Sequence, residues 1–328
     1  MRKLILLGLA LGVLVGVGLG LYFIQGWNGA GPAQKPVAVV IAPGSSLAAA
    51  AETLEKAGAV RSADRFLFQA RLFGGGQAIK AGEYEFPARA SHSHILGLMQ
   101  EGKTLQRMVM IPEGLPSVLV HERLMRAPAL TGTVPVPAEG SVLPDSYSYQ
   151  RGETRAAVLG RMQRAMDKVL AKLWAERKPG LPVVTREQAV ALASIVEKET
   201  AKPSERRTVA GVYSNRLRAG MPLQADPTVI YPVTKGRPLG RRILQSELRA
   251  RNGYNTYAMA GLPIGPIANP GRASIAAVMD PAQTDALYFV ADGTGGHVFA
   301  ATLAEHEANR RKWFAIRCAR GEMKCAGR

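Results

Sequence analysis

Ser194-Ile195-Val196-Glu197-Lys198-Glu199-Thr200 lies at the centre of the stretch Ala189–Asp226, around which the chain is organised. It reads as the end of a helix. Upstream, Thr185 and Gln188 make a capping box, the Thr accepting from the backbone three residues on and the Gln reaching back; downstream, Lys202-Pro203 stops the helix. Counted at about 100° per residue from Leu192, Ala189 falls at about +60°, Val196 at about +40°, Ile195 at about −60° and Glu199 at about −20°. Glu199 therefore sits in the middle of the apolar face. Glu197, at about 140° beside Val190, reads as the more exposed of the two. A carboxyl on a packed face loses hydration, and one in the last turn meets the negative end of the helix dipole; both favour the protonated form that a general acid needs near neutral pH. The same residues also fit a Glu that closes the helix by pairing with Lys198, Lys202, Arg206 or Arg207.

After this helix come Arg206-Arg207-Thr208-Val209-Ala210-Gly211-Val212-Tyr213-Ser214-Asn215-Arg216-Leu217 and Met221-Pro222-Leu223-Gln224-Ala225-Asp226-Pro227-Thr228-Val229-Ile230-Tyr231. Further on stand Tyr254-Asn255-Thr256-Tyr257, Gly261-Leu262-Pro263-Ile264-Gly265-Pro266-Ile267-Ala268-Asn269-Pro270 and Leu287-Tyr288-Phe289-Val290. These motifs, in this order, closely resemble the endolytic murein transglycosylase family, the MltG or YceG-like proteins, from the apolar N-terminus to about His306. In that family the catalytic Glu is the second of a Glu-Lys-Glu pair followed by Thr. The resemblance therefore implies Glu199, the residue the helical count had singled out. Ile264 departs from the family, standing where a Pro is common, and the Cys-containing tail is peculiar to this chain.

The 328 residues, 47% hydrophobic, suffice for two domains and a large core. Leu4–Ile24 is an uncharged, mostly apolar run behind Arg2-Lys3, long enough to cross roughly 30 Å of hydrocarbon with the N-terminus in the cytoplasm. A cleaved signal peptide is the alternative, though its apolar core usually spans only about 7–15 residues. Either reading exports the rest of the chain, to the outer, periplasmic side of the inner membrane. The expected fold class is α+β: residues 1–25 a cytoplasmic tip and transmembrane helix, 26–36 a linker, 37–104 a small β-α-α-β subdomain, 105–310 a larger mixed catalytic domain, and 311–328 a basic tail. The β-α-α-β order resembles the LysM fold, a module associated with glycan binding, although a domain that only positions the catalytic part fits equally well.

The strand-turn-helix beginning at Val37 recurs 70 residues on, with Ile111, Gly114 and Leu124 matching Ile41, Gly44 and Leu54. His92 and His94 read as loop histidines, with too few neighbouring ligands for a metal. Glu139–Tyr147 fits either a cleft wall or an Asp-capped turn, and the rigid, apolar Gly261–Pro270 segment suggests a cleft lip. Cys318 and Cys325 fit a small disulfide-closed loop in an oxidising compartment.

The resemblance implies a lytic transglycosylase, which needs one acid where ordinary glycosidases use two. Its Glu protonates the oxygen between N-acetylmuramic acid and N-acetylglucosamine, then takes the proton from the muramic C6 hydroxyl as that oxygen closes on C1, leaving a 1,6-anhydro end. Gln224, Thr228, Tyr231, Tyr254, Asn255 and Tyr257 supply groups that bind sugar hydroxyls and N-acetyl groups or stack on pyranose rings. Asp226 is either a turn former before Pro227 or the second carboxylate of a water-using muramidase. A catalytically silent peptidoglycan-binding scaffold is the reading from a different class. No metal or cofactor is expected. The family implies partners among the glycan-polymerising penicillin-binding proteins and a role in ending nascent strands. The formal charge of +17 favours anionic lipids or peptide-stem carboxylates, and export argues against nucleic acid.

Overall fold

The computed structural model describes residues 2–322 and is a mixed α+β protein. Helix α1 (Arg2–Asn28) leads, and its described part is long and apolar enough to cross a membrane. The chain then divides into two compact units, Met1–Arg107 with Ser148–Gly152, and Met108–Tyr147 with Glu153–Arg328.

The first unit holds β1 (Val37–Ile41), α2 (Leu47–Lys56), α3 (Ala63–Phe73), β2 (Gly82–Phe86) and α4 (His92–Glu101). Small hydroxyl residues start each helix: Ser46, Ser62 and Ser91 accept from the N–H groups of Ala49, Arg65 and His94. Strands β1 and β2 pair antiparallel, Val37 opposite Phe86 and Ile41 opposite Gly82. Their inward side chains bury against the helices in a core that includes Leu54, Phe66, Tyr84, Ile95 and Met99. His92 and His94 are not in a loop. Both lie in the first turn of α4, and the His92 ring is buried with Nδ1 2.6 Å from Gln69 Oε1. Glu83, held below the usual carboxylate range first by the Arg107 guanidinium and then by Arg151, ties the 148–152 excursion to this unit.

Strands β3 (Arg107–Met110) and β4 (Ser146–Tyr149) form a second two-stranded ribbon, and the unit boundary falls inside it. The larger unit continues with α5 (Ser117–Arg126), α6 (Arg155–Ala175), α7 (Arg186–Glu199), α8 (Arg206–Arg218), α9 (Asp226–Thr234), α10 (Gln245–Arg249), α11 (Arg272–Met279), the antiparallel pair β5 (Tyr288–Ala291) and β6 (His297–Ala300), and α12 (Leu303–Ala319). The first half of the stretch read as a basic tail, up to Ala319, is thus the end of a helix begun at a Thr302/Glu305 capping box. Cys325, and with it the expected pairing to Cys318, lies outside the described residues.

Helix α7 is the hub of this unit. Thr185 caps it, accepting from Gln188 N, while Gln188 reaches back to Val184 N, one residue further than a capping box requires. Every residue from Ala189 to Val196 is buried, so the helix is covered all round rather than along one stripe. The Gly261–Pro270 segment packs against it: Ile267 N donates to Ser194 Oγ at 3.0 Å, and Ile267, Ala268 and Asn269 are buried. Its end, Ile267–Pro270, is core scaffolding and not a cleft lip, while Ile264 earlier in the segment is 75% exposed. Glu139 is likewise no cleft wall. Its Oε1 accepts from Ser117 N at 2.8 Å and caps α5, where Pro116 has no side chain to do so.

Candidate active site

Glu199 is the last residue of α7, and Thr200 after it turns to extended backbone, so the carboxyl is presented where the helix ends. It opens on a cavity of about 700 Å³ walled by the starts and ends of several elements: Tyr213 and Arg216 from α8, Gln224 and Asp226 from the turn into α9, and Tyr257. Phe289 of β5 and His306 with Arg310 of α12 close the other side. Loss of hydration is the largest influence on Glu199 and pushes it up to about 7; the Asp226 charge adds to the rise, while a hydrogen bond from Tyr213 and the Arg216 charge oppose it. A carboxyl so placed is protonated at the upper end of the range in which a general acid works near neutrality.

Glu197, expected to be the more exposed carboxylate, has a side chain only 5% exposed. It accepts from Gly271 N at 2.7 Å and pairs with Arg206 at 3.3 Å. The helical count placed it correctly around α7; what the count lacked is that Gly140 and Pro266 cover that side beside Val190. Of the two glutamates, Glu197 is therefore the one that closes the helix by pairing, and Glu199 is the one at the cavity.

The other candidates separate into two groups. Gln224, Asp226 and Tyr257 line the cavity with Glu199. Tyr257 Oη donates to Asp226 Oδ1 at 2.6 Å, and Gln224 sits at φ +54, a left-handed backbone that L residues adopt rarely and that concentrates at functional sites. Thr228, Tyr231, Tyr254 and Asn255 do not line it. Thr228 is fully buried, donating to Ala225 O and bonded to Thr256 Oγ1 at 2.8 Å. Asn255, also fully buried, donates to three carbonyls of residues 247–250 and accepts from Tyr257 N at 2.9 Å. The Tyr231 ring lies tilted against Tyr254, centroids 4.8 Å apart, and its hydroxyl bonds to Glu139, whose own carboxyl burial pushes up. These four hold the Asp226 and Tyr257 segments in place. Thr228 and Asn255 spend their polar groups on buried backbone, and Tyr231 on the Glu139 side chain.

Two residues of α8 that sequence reasoning left unassigned complete the site. Tyr213, buried, hydrogen-bonds Glu199 and packs edge-on to Phe289 at 5.8 Å. Arg216 donates to Leu287 O at 2.6 Å and Leu223 O at 2.8 Å and lies 5.3 Å from the Tyr288 ring, pinning the Gln224 turn and β5 together. Their i,i+3 spacing on the helix after the acid was the signal that could have found them. His306 stacks on Tyr288 at 5.1 Å in the cavity wall, and burial pushes its imidazole towards the neutral form. His297 faces elsewhere, its Nδ1 2.7 Å from Glu205 Oε2, and fastens β6 to the turn that follows α7. Among the described residues no three His, Cys, Asp or Glu side chains converge as metal ligands would.

Comparison with known proteins matches residues 39–312 to the model of the YceG-like family. An endolytic murein transglycosylase of Bacillus subtilis is 34% identical over 180 residues, covering 55% of this chain and 49% of that protein. One from Streptococcus pneumoniae strain D39 is 29% identical over 325 residues, covering 84% of this chain and 58% of that protein. The chain thus spans about half to three-fifths of the length of these relatives. A crystal structure of a YceG-like protein from Listeria monocytogenes superposes with a TM-score of 0.51 at 28% identity, covering 84% of this chain and 99% of that one.

Proposed function

Since the chain belongs to the YceG-like family, we propose that it is a lytic transglycosylase that cuts peptidoglycan strands internally, with Glu199 as acid and then base. The observation that carries this reading is the Glu199 carboxyl, raised to about 7 at the wall of a sugar-sized cavity. The protonated carboxyl gives its proton to the oxygen bridging N-acetylmuramic acid to N-acetylglucosamine as the C1–O bond breaks. Positive charge develops on the muramic ring, and the Asp226 carboxylate, oriented by Tyr257, is the nearby anion that steadies it. The Glu199 carboxylate, steadied by the Tyr213 hydrogen bond and the Arg216 charge, then accepts the C6 hydroxyl proton while that oxygen bonds to C1. The product is a 1,6-anhydro end, no water is consumed, and the acid is regenerated.

The position of Asp226 also supports a second reading, hydrolysis, with water activated by that carboxylate in the same cavity. Digestion in heavy-oxygen water separates the two. The transglycosylase reading expects no heavy oxygen in the new muramic ends, and hydrolysis adds one atom per cut.

Around this chemistry the reading extends to the whole chain. α1 anchors the protein in the inner membrane with the rest on the periplasmic side, the β-α-α-β unit serves as a LysM-like glycan-facing module, and cleavage ends strands newly made by penicillin-binding proteins. The apolar α1 and the element order of the first unit support the first two statements in turn, and the names of the relatives support internal cleavage of murein, from which the third is extrapolated.

A further inference from the structure

Outside the cavity, the least expected surface of the chain is the outer face of α3. Its inner face, Phe66, Gln69 and Ala70, is buried, and its outer face consists of Asp64, Arg65, Phe68, Arg71 and Leu72. Phe68 is 55% exposed and Leu72 59%. Single exposed apolar residues are ordinary, and Val184 is more exposed than either. What distinguishes α3 is its neighbour. The Phe68 ring lies 5.7 Å from Phe23 of α1, Phe73 lies 5.8 Å from Trp27, the Arg65 guanidinium lies 5.0 Å from the Tyr22 ring, and Gln69 Nε2 donates to Phe23 O at 3.3 Å. α3 is thereby fastened to the stretch of α1 between residues 22 and 27.

That stretch has a calculable depth. Leu4–Ile24 is uncharged, and at ~1.5 Å per residue it covers roughly 30 Å, the thickness of a bilayer's hydrocarbon. The hydrocarbon therefore ends near Tyr22–Ile24, with Tyr22 and Trp27 in the aromatic belt at its edge. Phe68 is held at that level by Phe23, and Leu72, next to Phe73, lies at the end of α3 that meets Trp27. Large apolar side chains interleaved with arginines, whose stems can run along the apolar zone while their charges reach headgroups, are the pattern of a helix lying in a membrane interface.

We propose that the outer face of α3 is a lipid-contacting surface, in which Phe68 and Leu72 enter the acyl-headgroup boundary and Arg65 and Arg71 meet anionic headgroups. The proposal rests on the reading of α1 as a membrane span. It gives the first unit a second attachment to the bilayer, so that this unit does not swing freely at the end of α1.

The test uses the full chain, with its three native tryptophans Trp27, Trp174 and Trp313 replaced by Phe, in vesicles of phosphatidylethanolamine and phosphatidylglycerol whose acyl chains are brominated near the headgroup. Tryptophan probes are introduced singly as Phe68→Trp, Leu72→Trp, Val17→Trp within α1, and Val184→Trp as an exposed apolar site in the other unit. Bromine should quench the probes at 68 and 72 several-fold more than the probe at 184. Two α3 positions guard against one variant misfolding. A quenched probe at 17 with unquenched probes at 68 and 72 would overturn the α3 proposal and leave the anchor standing. An unquenched probe at 17 would overturn the anchor and the α3 proposal with it.

Discussion

Burial holds the Glu199 carboxyl protonated up to about pH 7, and two neighbours tune it in opposite senses. Asp226 raises it, so Asp226→Asn should move the alkaline limb of the kcat/KM profile to lower pH; Tyr213 lowers it, so Tyr213→Phe should move that limb to higher pH. A pH–rate series on both variants checks the signs, and limbs that stay where they were would remove Glu199 as the titrating acid. The same shift has a cost in stability. A carboxyl raised from 4.5 to about 7 on folding favours the fold below the lower value and is a growing liability as pH rises through the upper one, by roughly 3 kcal/mol at the limit. Glu199→Gln should therefore match the parent in urea unfolding at about pH 4 and exceed it at about pH 8. Residue by residue, the sequence put Glu199 at the end of a packed helix, and the structure places it beside the cavity, but one apolar face does not mark it, because α7 is covered all round. The sequence was least legible at Glu197 and Thr228, which are held by segments distant in the chain.

Local elements were legible wherever a cap or a turn glycine marks them. Thr185 begins its helix as the sequence indicates, and Ser46, Ser62 and Thr154 cap theirs by the same chemistry. The recurrence at 70 residues is a true repetition of local structure: β1, Gly44 and α2 are matched by β3, Gly114 and α5, with both glycines at positive φ, 77 and 71. The two turns differ in their surroundings. A Cβ at Gly44 meets nothing, whereas one at Gly114 comes within 3.3 Å of the Glu197 side chain. Gly44→Ala should cost only the left-handed strain, about 1 kcal/mol, and Gly114→Ala should cost more in chemical denaturation because it also disturbs Glu197. Ser194→Ala strips the buried Ile267 N–H of its acceptor and should lower stability by about 1–3 kcal/mol. The start of α12 at Thr302 and Glu305 was readable by the same rules, but its dense charge made its second half look like a tail. The pairing of β3 with β4 was not readable, since it joins strands far apart in sequence and no local pattern specifies the partner.

The whole molecule joins an apolar N-terminal helix, a small α/β unit and a larger unit built on α7. The formal charge of +17 offers a rival way to reach a membrane, through anionic headgroups alone. Salt separates the two: a chain held by α1 stays with membranes in high salt, and one held only by charge is released as screening rises. Sedimentation of membranes washed in low and high salt checks this. The claim on which everything else depends is that Glu199 performs transglycosylation, and mass spectrometry of purified glycan strands after incubation with the parent chain and with Glu199→Gln tests it most directly. The account predicts 1,6-anhydro-muramic ends within the strands from the parent, reduced by about 10²–10⁴-fold or absent in the variant. Reducing muramic ends from the parent, or anhydro ends formed equally well by Glu199→Gln, would contradict it.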